Sequence, residues 1–203
     1  MYLSFIRKAF VLFLLLSLMH FSFAQKQTTL KDAYIDKFYI GTAMNAPQIT
    51  GRDIAAVNVI KENFNAIVAE NCMKSGPLQP REGEFDFELA DQFVKFGVEN
   101  DMSITGHCLI WHSQTPHWFF TDDDGSDVSA EMLMERMKSH IHTVVGRYKG
   151  KVHGWDVVNE AIEDDGSVIV NFIKSLERIS LNMLFNLHTK LIQMQNCIIM
   201  ITQ

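Results

Sequence analysis

Short apolar runs alternate with longer amphipathic runs along the chain, and this alternation is the feature that most constrains the fold. Short apolar runs are typical of buried strands, and apolar residues spaced by three or four positions are typical of helices. The expected strands are residues 38–44, 64–69, 103–106 and 154–159. Because helical stretches separate them, the pattern predicts a parallel α/β sheet.

Three amphipathic helices are expected between these strands. The first is predicted to be capped by Thr50 and to bury one apolar face, made of Ile54, Val57 and Ile60. The second covers residues 87–98, ends near Asn100, and has on one side Leu89, Phe93, Phe96 and Gly97. The third starts at Asp127 or Ser129, runs to about Tyr148, and carries an apolar set comprising Met132, Leu133, Met137, Ile141, Val144 and Val145.

Polar side chains stand where each expected strand ends, and they are Asn45, Glu70, Asn71, His107, Asn159 and Glu160. In a parallel α/β barrel the carboxyl ends of all strands open onto one face, so these residues are expected to converge on one cleft. A complete (β/α)8 barrel has eight such units in about 250 residues. The prediction is therefore an α/β chain of the (β/α)8 TIM barrel family that holds only the first four βα units.

Glu160 is the strongest candidate for a proton donor, because it ends an apolar strand where a carboxyl is partly withdrawn from water. Considered alone, a glutamate at a strand end is more often a helix N-terminal acid or a salt-bridge partner. Considered alone, Trp111 and His107 would be core residues, and Lys74 would be a solvated surface charge.

Several segments, in order along the chain, favour a functional role for these residues over a structural one. They are Glu70–Lys74, Gln79–Phe85, Gly106–Gln114, Arg147–Val152, Trp155–Ala161 and Ile162–Gly166. Together they resemble the glycoside hydrolase family 10 endo-β-1,4-xylanases over roughly Leu30 to Ser167. The resemblance implies a retaining endo-hydrolase of internal β-1,4-xylosidic bonds in xylan or xylo-oligosaccharides, with no metal and no organic cofactor.

The resemblance also implies roles for individual residues. Glu160 matches the general acid/base, and Asn159 matches the residue that hydrogen-bonds the sugar 2-hydroxyl beside the scissile bond. The residues that match contacts to the xylose hydroxyls on the glycone side are Glu70, Asn71 and Lys74. The residues that match the wall of the cleft at the cleavage point are His107, Trp111 and Gln114.

The family takes its nucleophilic glutamate from a later strand, so the resemblance places no nucleophile in these 203 residues. The family pattern is expected to stop after Ser167, and a shifted reading frame would explain the change. Read one base earlier, codons allowed for residues 190–202 encode a segment that resembles the family's fifth strand. The alternative is a genuine amphipathic tail. On either account we expect a helical or disordered tail, little or no hydrolysis by this chain, and open sheet edges that favour aggregation.

The expected organisation is a signal peptide at 1–24, the N-terminal half of a catalytic barrel at 25–167, and an atypical tail at 168–203. Arg7 and Lys8 precede an apolar run, and small residues stand before a cleavage site near Ala24. This pattern predicts secretion to the periplasm, the cell surface or the medium, with no membrane contact after cleavage. An uncleaved membrane anchor is the alternative.

The remaining composition excludes other classes of function. The formal net charge is −6 and no basic stripe is present, so a nucleic acid partner is not expected, and no specific protein partner is inferred. His107, His112 and His117 recur every five residues, a spacing that does not place metal ligands on one helical face. Cys72 and Cys108 are either free thiols or a disulfide. A non-catalytic carbohydrate-binding fragment and a structural protein assembled through its sheet edges remain the alternatives to an enzyme.

Overall fold

Five parallel strands form one sheet in the computed structural model, which describes residues 28–160 and 198–202. The strands are β1 (Gly41–Met44), β2 (Ala66–Ala69), β3 (Ser103–Trp111), β4 (Gly154–Asn159) and β5 (Ile198–Thr202), and they lie side by side in chain order. Because every pairing is parallel, the carboxyl ends of all five strands meet at one edge. The predicted parallel α/β arrangement is confirmed.

One short helix precedes β1, and the other helices occupy the connections between successive strands. They are α1 (Leu30–Ala33), α2 (Ala46–Ile49), α3 (Ile54–Asn63), α4 (Ser75–Leu78), α5 (Glu88–Glu99) and α6 (Ala130–Arg147), with a 3₁₀ turn at His117–Phe119. Helix α3 connects β1 to β2, α5 connects β2 to β3, and α6 connects β3 to β4. Their apolar faces and the sheet enclose the core, in which all six residues of β4 are buried.

The first expected helix differs from the structure, because the chain forms two helices there. Asn45 starts α2 with a reciprocal pair of hydrogen bonds to Gln48, and Thr50 ends that helix. Helix α3 begins after Asp53, whose carboxylate accepts the Ala56 N–H at 3.1 Å. The prediction of Thr50 as the N-cap is therefore wrong, since an aspartate nearer to the apolar run caps the same helix.

The expected core face of this helix is confirmed at Ile60, which is buried, and wrong at Ile54, which is 68% exposed. Val57 is half-buried. The two later helices agree better with expectation. Ser129 caps α6 by accepting the Met132 N–H, and the expected buried face is confirmed except for Met132, which is exposed.

Strand β3 is longer than residues 103–106, because it continues to Trp111. Cys108, Leu109 and Ile110 are fully buried and belong to the part of β3 that runs beside β4. The register pairs His107 with Asp156 and Trp111 with Asn159. His107 therefore lies within the strand, and Trp111 is the residue at its end.

The described part of the tail is a strand, which differs from the expected helix or disorder. Residues Ile198–Thr202 pair with β4 in parallel, so that edge of β4 is covered. The physical reason is that β-branched residues favour strands and an unpaired strand edge favours pairing. The rest of the predicted tail, Cys197 and the predicted signal peptide lie outside the described residues. Within the described ranges, no helix has the length and apolarity required to cross a bilayer.

Candidate active site

The carboxylate of Glu160 lies directly beyond the end of β4, beside the last residue of β3. The indole Nε1 of Trp111 donates a hydrogen bond of 2.8 Å to Oε2 of Glu160. The same oxygen lies 4.0 Å from Nε2 of His112. The Glu160 side chain is 46% exposed, so its carboxyl is held by the protein and still accessible to a substrate.

Lys74 approaches the same indole from the loop that follows β2. Its ammonium group lies 4.6 Å from the centroid of the Trp111 ring and donates a 3.0 Å hydrogen bond to Oδ1 of Asn71. Lys74 is only 7% exposed, which excludes the interpretation of a solvated surface charge. A lysine this buried needs compensating partners, and the ring and the amide oxygen supply them.

His107 and Asp156 form a second polar pair, which lies within β3 and β4. The carboxyl ends of these strands, with Trp111 and Glu160, form the rim of the site. Nδ1 of His107 lies 2.9 Å from Oδ2 of Asp156, and the Asp156 side chain is 1% exposed. A carboxylate only accepts hydrogen bonds, so Nδ1 of His107 carries the hydrogen atom in this contact. Both residues line an open cavity of about 340 Å³ on the inner face of the sheet, together with small residues of β1 and β2 such as Gly41 and Ala66.

The other predicted site residues lie at the same end of the sheet. Asn159 is 7% exposed at the end of β4, and the backbone N–H of Gln114 donates to the carbonyl of Trp111. Asn71 and Glu70 are exposed at the end of β2, where the Glu70 N–H donates to the carbonyl of Met44. Asn45 takes no part in the contacts around Glu160, because its side chain caps α2.

Arg136 of α6 holds together the two loops that form this rim. Its guanidinium donates to Oε1 of Glu82 at 3.0 Å, to the carbonyl of Trp118 at 2.6 Å and to that of Thr121 at 3.1 Å. Trp118 in turn donates from Nε1 to the carbonyl of Gln79 at 3.1 Å. The loop after β2 and the loop after β3 are thus fixed to each other and to the same helix.

Sequence reasoning missed Asp156 and His112 as members of the site. Asp156 had a detectable signal, because a carboxylate inside a strand of apolar residues must be paired when it is buried. His112 directly follows the strand-ending Trp111, but the expected end of β3 at residue 106 concealed that position.

The two cysteines within residues 28–160 do not supply a nucleophile. Cys72 and Cys108 are free, so the alternative of a disulfide between them is wrong. Burial raises the pKa of each thiol to about 12, which keeps both protonated at neutral pH. Among residues 28–160 and 198–202, no three histidine, cysteine or acidic side chains form a group able to hold a metal ion.

The arrangement suits acid–base chemistry on a sugar. An accessible carboxyl with a fixed orientation can give a proton to a leaving oxygen and later take one from water. The face of an indole offers flat apolar area to the C–H face of a pyranose ring. A buried ammonium and an amide beside it supply hydrogen bonds to hydroxyl groups.

Comparison with known proteins gives a consistent family assignment. The model of glycosyl hydrolase family 10 matches residues 29–179, a range that extends past Ser167, and the domain boundaries stay a prediction. An endo-1,4-beta-xylanase A of Xylanibacter ruminicola is 52% identical over 143 residues, which are 70% of this chain and 39% of that protein. An endo-1,4-beta-xylanase A of Halalkalibacterium halodurans is 43% identical over 157 residues, covering 72% of this chain and 39% of that protein.

Solved structures agree with the sequence relatives. A GH10 endoxylanase retrieved from a sugarcane soil metagenome superposes with a TM-score of 0.77 at 39% identity, covering 85% of this chain and 51% of that one. An intracellular xylanase from Thermoanaerobacterium saccharolyticum gives a TM-score of 0.79 at 31% identity, covering 87% and 56%. The predicted barrel class is confirmed, and the chain spans about half the length of these structures.

Proposed function

The chain belongs to glycosyl hydrolase family 10, and from this premise we propose that the protein it represents is an endo-hydrolase of internal β-1,4-xylosidic bonds in xylan. The observation that carries the proposal is the placement of the Glu160 carboxyl, the Trp111 indole and the Lys74 ammonium at one edge of the sheet. In this proposal Glu160 protonates the leaving oxygen and afterwards activates water.

Trp111 has two tasks in this mechanism. Its ring face supports a xylose unit, and its N–H holds one carboxyl oxygen of Glu160, which leaves the other oxygen to meet the glycosidic oxygen. Lys74 and Asn71 bind xylose hydroxyls on the glycone side, with Glu70 nearby. Asn159 hydrogen-bonds the 2-hydroxyl, and the cleft wall includes His107 and Gln114.

A retaining mechanism requires a second carboxyl about 5–5.5 Å from the first, which acts as the nucleophile. Glu163, Asp164 and Asp165 follow Glu160 closely in sequence, but they match none of the family's nucleophile context. We place the nucleophile on a later strand of the barrel, outside these 203 residues. This segment alone is then a sugar-binding half-cleft with an acid/base and without turnover.

Two assays on the purified 203-residue chain test the proposal together. Calorimetric titration with xylohexaose measures binding, with cellohexaose as the control sugar, and a reducing-end assay on soluble xylan measures cleavage. We expect xylohexaose binding without release of reducing ends. Absence of xylohexaose binding contradicts the proposed cleft, and release of reducing ends contradicts the placement of the nucleophile.

A longer form that completes the barrel tests the chemical role of Glu160. We expect it to release reducing ends from xylan, and Glu160→Gln to lower that rate by roughly 10²–10⁴-fold, the usual contribution of a general acid. Glu163→Gln is the matched control, because the proposal gives that neighbouring acid no chemical role. Equal losses in both variants contradict the assignment.

Export by residues 1–24 is part of the same proposal, because xylan is a polymer found outside cells that degrade it. Expression of the complete 203-residue chain, followed by N-terminal sequencing of the exported product, tests it. We expect a mature N-terminus at Gln25. Retention of Met1 in a membrane fraction supports the anchor alternative instead.

A further inference from the structure

The hydroxyl of Thr115 connects the loop that carries Lys74 to the end of β3, where Trp111 lies. Thr115 Oγ1 donates to the carbonyl of Trp111 at 2.8 Å and accepts the Trp111 N–H at 3.2 Å. Its third neighbour is Oγ of Ser75, at 3.3 Å. Ser75 directly follows Lys74 and begins α4. One side chain therefore contacts the backbone of the indole residue and the residue next to the buried ammonium.

Counting hydrogen atoms determines the direction of the bond between the two hydroxyls. A threonine hydroxyl has one hydrogen and two lone pairs, and Thr115 gives its hydrogen to the carbonyl of Trp111. In a hydrogen bond between the two hydroxyls, Ser75 is then the donor. Ser75 is 1% exposed and its hydroxyl needs a partner within the protein, where the carbonyl of Gln114 at 3.5 Å is the alternative acceptor.

The approach of the two loops at this point is close. A Cβ atom at Gly76 would lie 2.9 Å from the carbonyl oxygen of Gln114, a contact that real Cβ atoms essentially never show. The loop after β2 can lie this near only with glycine at position 76. The hydroxyl pair and the glycine together fix the separation from which the Lys74 ammonium reaches the Trp111 ring at 4.6 Å.

We propose that Thr115 is a positioning residue that sets the placement of the Trp111 indole between Lys74 and Glu160. The inference rests on the proposed function for its meaning, since it concerns the same sugar-binding rim. Thr115 itself touches neither Glu160 nor Lys74 through the contacts described above. It acts through the backbone of Trp111 and through Ser75.

The test uses the tryptophan indole N–H resonances of the ¹⁵N-labelled 203-residue chain, which contains three tryptophans. Because Trp111 donates to Glu160, replacing that carboxylate by the amide of Glu160→Gln moves the Trp111 indole resonance and identifies it. The size of this movement, measured by adding Glu160→Gln to each variant, reports how the indole is placed against position 160. The resonances of Trp118 and Trp155 report at the same time whether the fold is intact.

Thr115→Val keeps the shape of the side chain and removes its hydroxyl. We expect the movement of the Trp111 resonance caused by Glu160→Gln to fall to about half or less, since loss of a hydrogen bond changes local populations several-fold. Thr115→Ser restores the movement. Thr121→Val is the matched control, because that hydroxyl bonds the carbonyl of His117 in the same loop and leaves Trp111 unaffected.

An unchanged Trp111 movement in folded Thr115→Val, or no recovery in Thr115→Ser, overturns the proposal. If Thr115→Val does not fold, Ser75→Ala is read in the same way, and an unchanged movement there overturns it too. Titration with xylohexaose adds the functional consequence, an affinity lower by roughly fivefold in Thr115→Val. A chain that binds no xylohexaose contradicts the proposed function, while the indole measurement still decides the role of Thr115.

Discussion

The indole N–H of Trp111 and the carboxylate of Glu160 meet at 2.8 Å, although the two residues are 49 positions apart in the chain. The contact exists because β3 and β4 are paired in parallel with Trp111 opposite Asn159. Trp111 and Glu160, the residue after Asn159, therefore lie at the same end of the sheet. The hydrogen bond orients a carboxyl whose side chain is still 46% exposed, which suits a group that must both give and take a proton.

Two substitutions of Trp111 distinguish the contribution of its ring to sugar binding from the contribution of its N–H. Trp111→Phe keeps an aromatic face for the sugar and for Lys74, so we expect xylohexaose affinity to fall by about twofold to tenfold. Trp111→Ala removes both and is expected to lower affinity by tenfold or more. Calorimetry on both variants measures the difference. Equal affinities in Trp111→Ala and the wild type contradict a sugar platform at this position.

Removal of the Lys74 ammonium is expected to weaken sugar binding. Lys74→Met keeps the length of the side chain but leaves Oδ1 of Asn71 without its donor, and roughly tenfold weaker xylohexaose binding is expected. Lys95→Met is the matched control, because that lysine is 72% exposed and its partner is the surface residue Glu99. Both proteins are compared by calorimetry at the same salt concentration. A similar loss in the two variants indicates a general charge effect and contradicts a specific role for Lys74.

His140 makes the stability of the fold depend on pH. Its side chain is fully buried, its Nδ1 lies 2.8 Å from Oε1 of Gln79, and burial lowers its pKa from 6.5 to about 4. The unfolded chain therefore binds more protons than the folded one between about pH 4 and 6.5. The contribution of neutral His140 to the free energy of unfolding is fully present above that range. It is lost, by roughly 3 kcal/mol, as the pH drops through the range.

Urea unfolding at pH 7.5, 6 and 4.5 measures how the free energy of unfolding changes with pH. His140→Asn keeps a donor near the position of Nδ1 and cannot gain a proton, so we expect a flatter dependence across the same range. Asp91 contributes to acid sensitivity only at lower pH, because its hydrogen bond from Arg147 holds its pKa below the usual 3.8. Equal slopes in His140→Asn and the wild type would rule out His140 as the cause.

Two glycines are expected to respond in opposite directions to the same substitution. A Cβ atom at Gly106 would lie 2.2 Å from the ring of Trp155, so Gly106→Ala is expected to destabilise the fold by about 2 kcal/mol or more. A Cβ atom at Gly146 in α6 would meet nothing within 4 Å, and Gly146→Ala is expected to stabilise by roughly 0.5–1 kcal/mol. Thermal unfolding of both variants checks the pair. A stable Gly106→Ala variant would show that Trp155 does not pack against β3 as described.

The sequence predicted the parts of this fold that depend on local apolar pattern. Strand β4 and the ends of α5 and α6 lie at or within a residue of the predicted positions, because each has a clear apolar period and a capping or terminating residue. The length of β3 was not predictable in the same way. Residues 107–111 are strand because β4 lies beside them, and that neighbour is distant in sequence.

The candidate site also combines residues that the sequence identifies with contacts that only the fold creates. The residues that match the family motif, Glu160 and Trp111 among them, were identifiable from sequence, and the structure brings them to one edge. The contacts that hold them were not identifiable. Ser75 and Thr115 are short hydroxyl residues of a common type, and only the approach of two loops makes them neighbours. Asp156 became recognisable as His107's partner only once the register of β3 against β4 was known.

In the proposed function, Glu160 faces the glycosidic oxygen of a xylan chain held at the rim between Lys74 and Trp111. The decisive experiment is a crystal structure of the 203-residue chain with bound xylotriose. We expect a glycosidic oxygen within hydrogen-bond reach of a Glu160 carboxyl oxygen, about 2.6–3.2 Å away, with a xylose ring against the indole face. Xylotriose bound elsewhere on the molecule, or a Glu160 carboxyl directed away from the sugar, would contradict it.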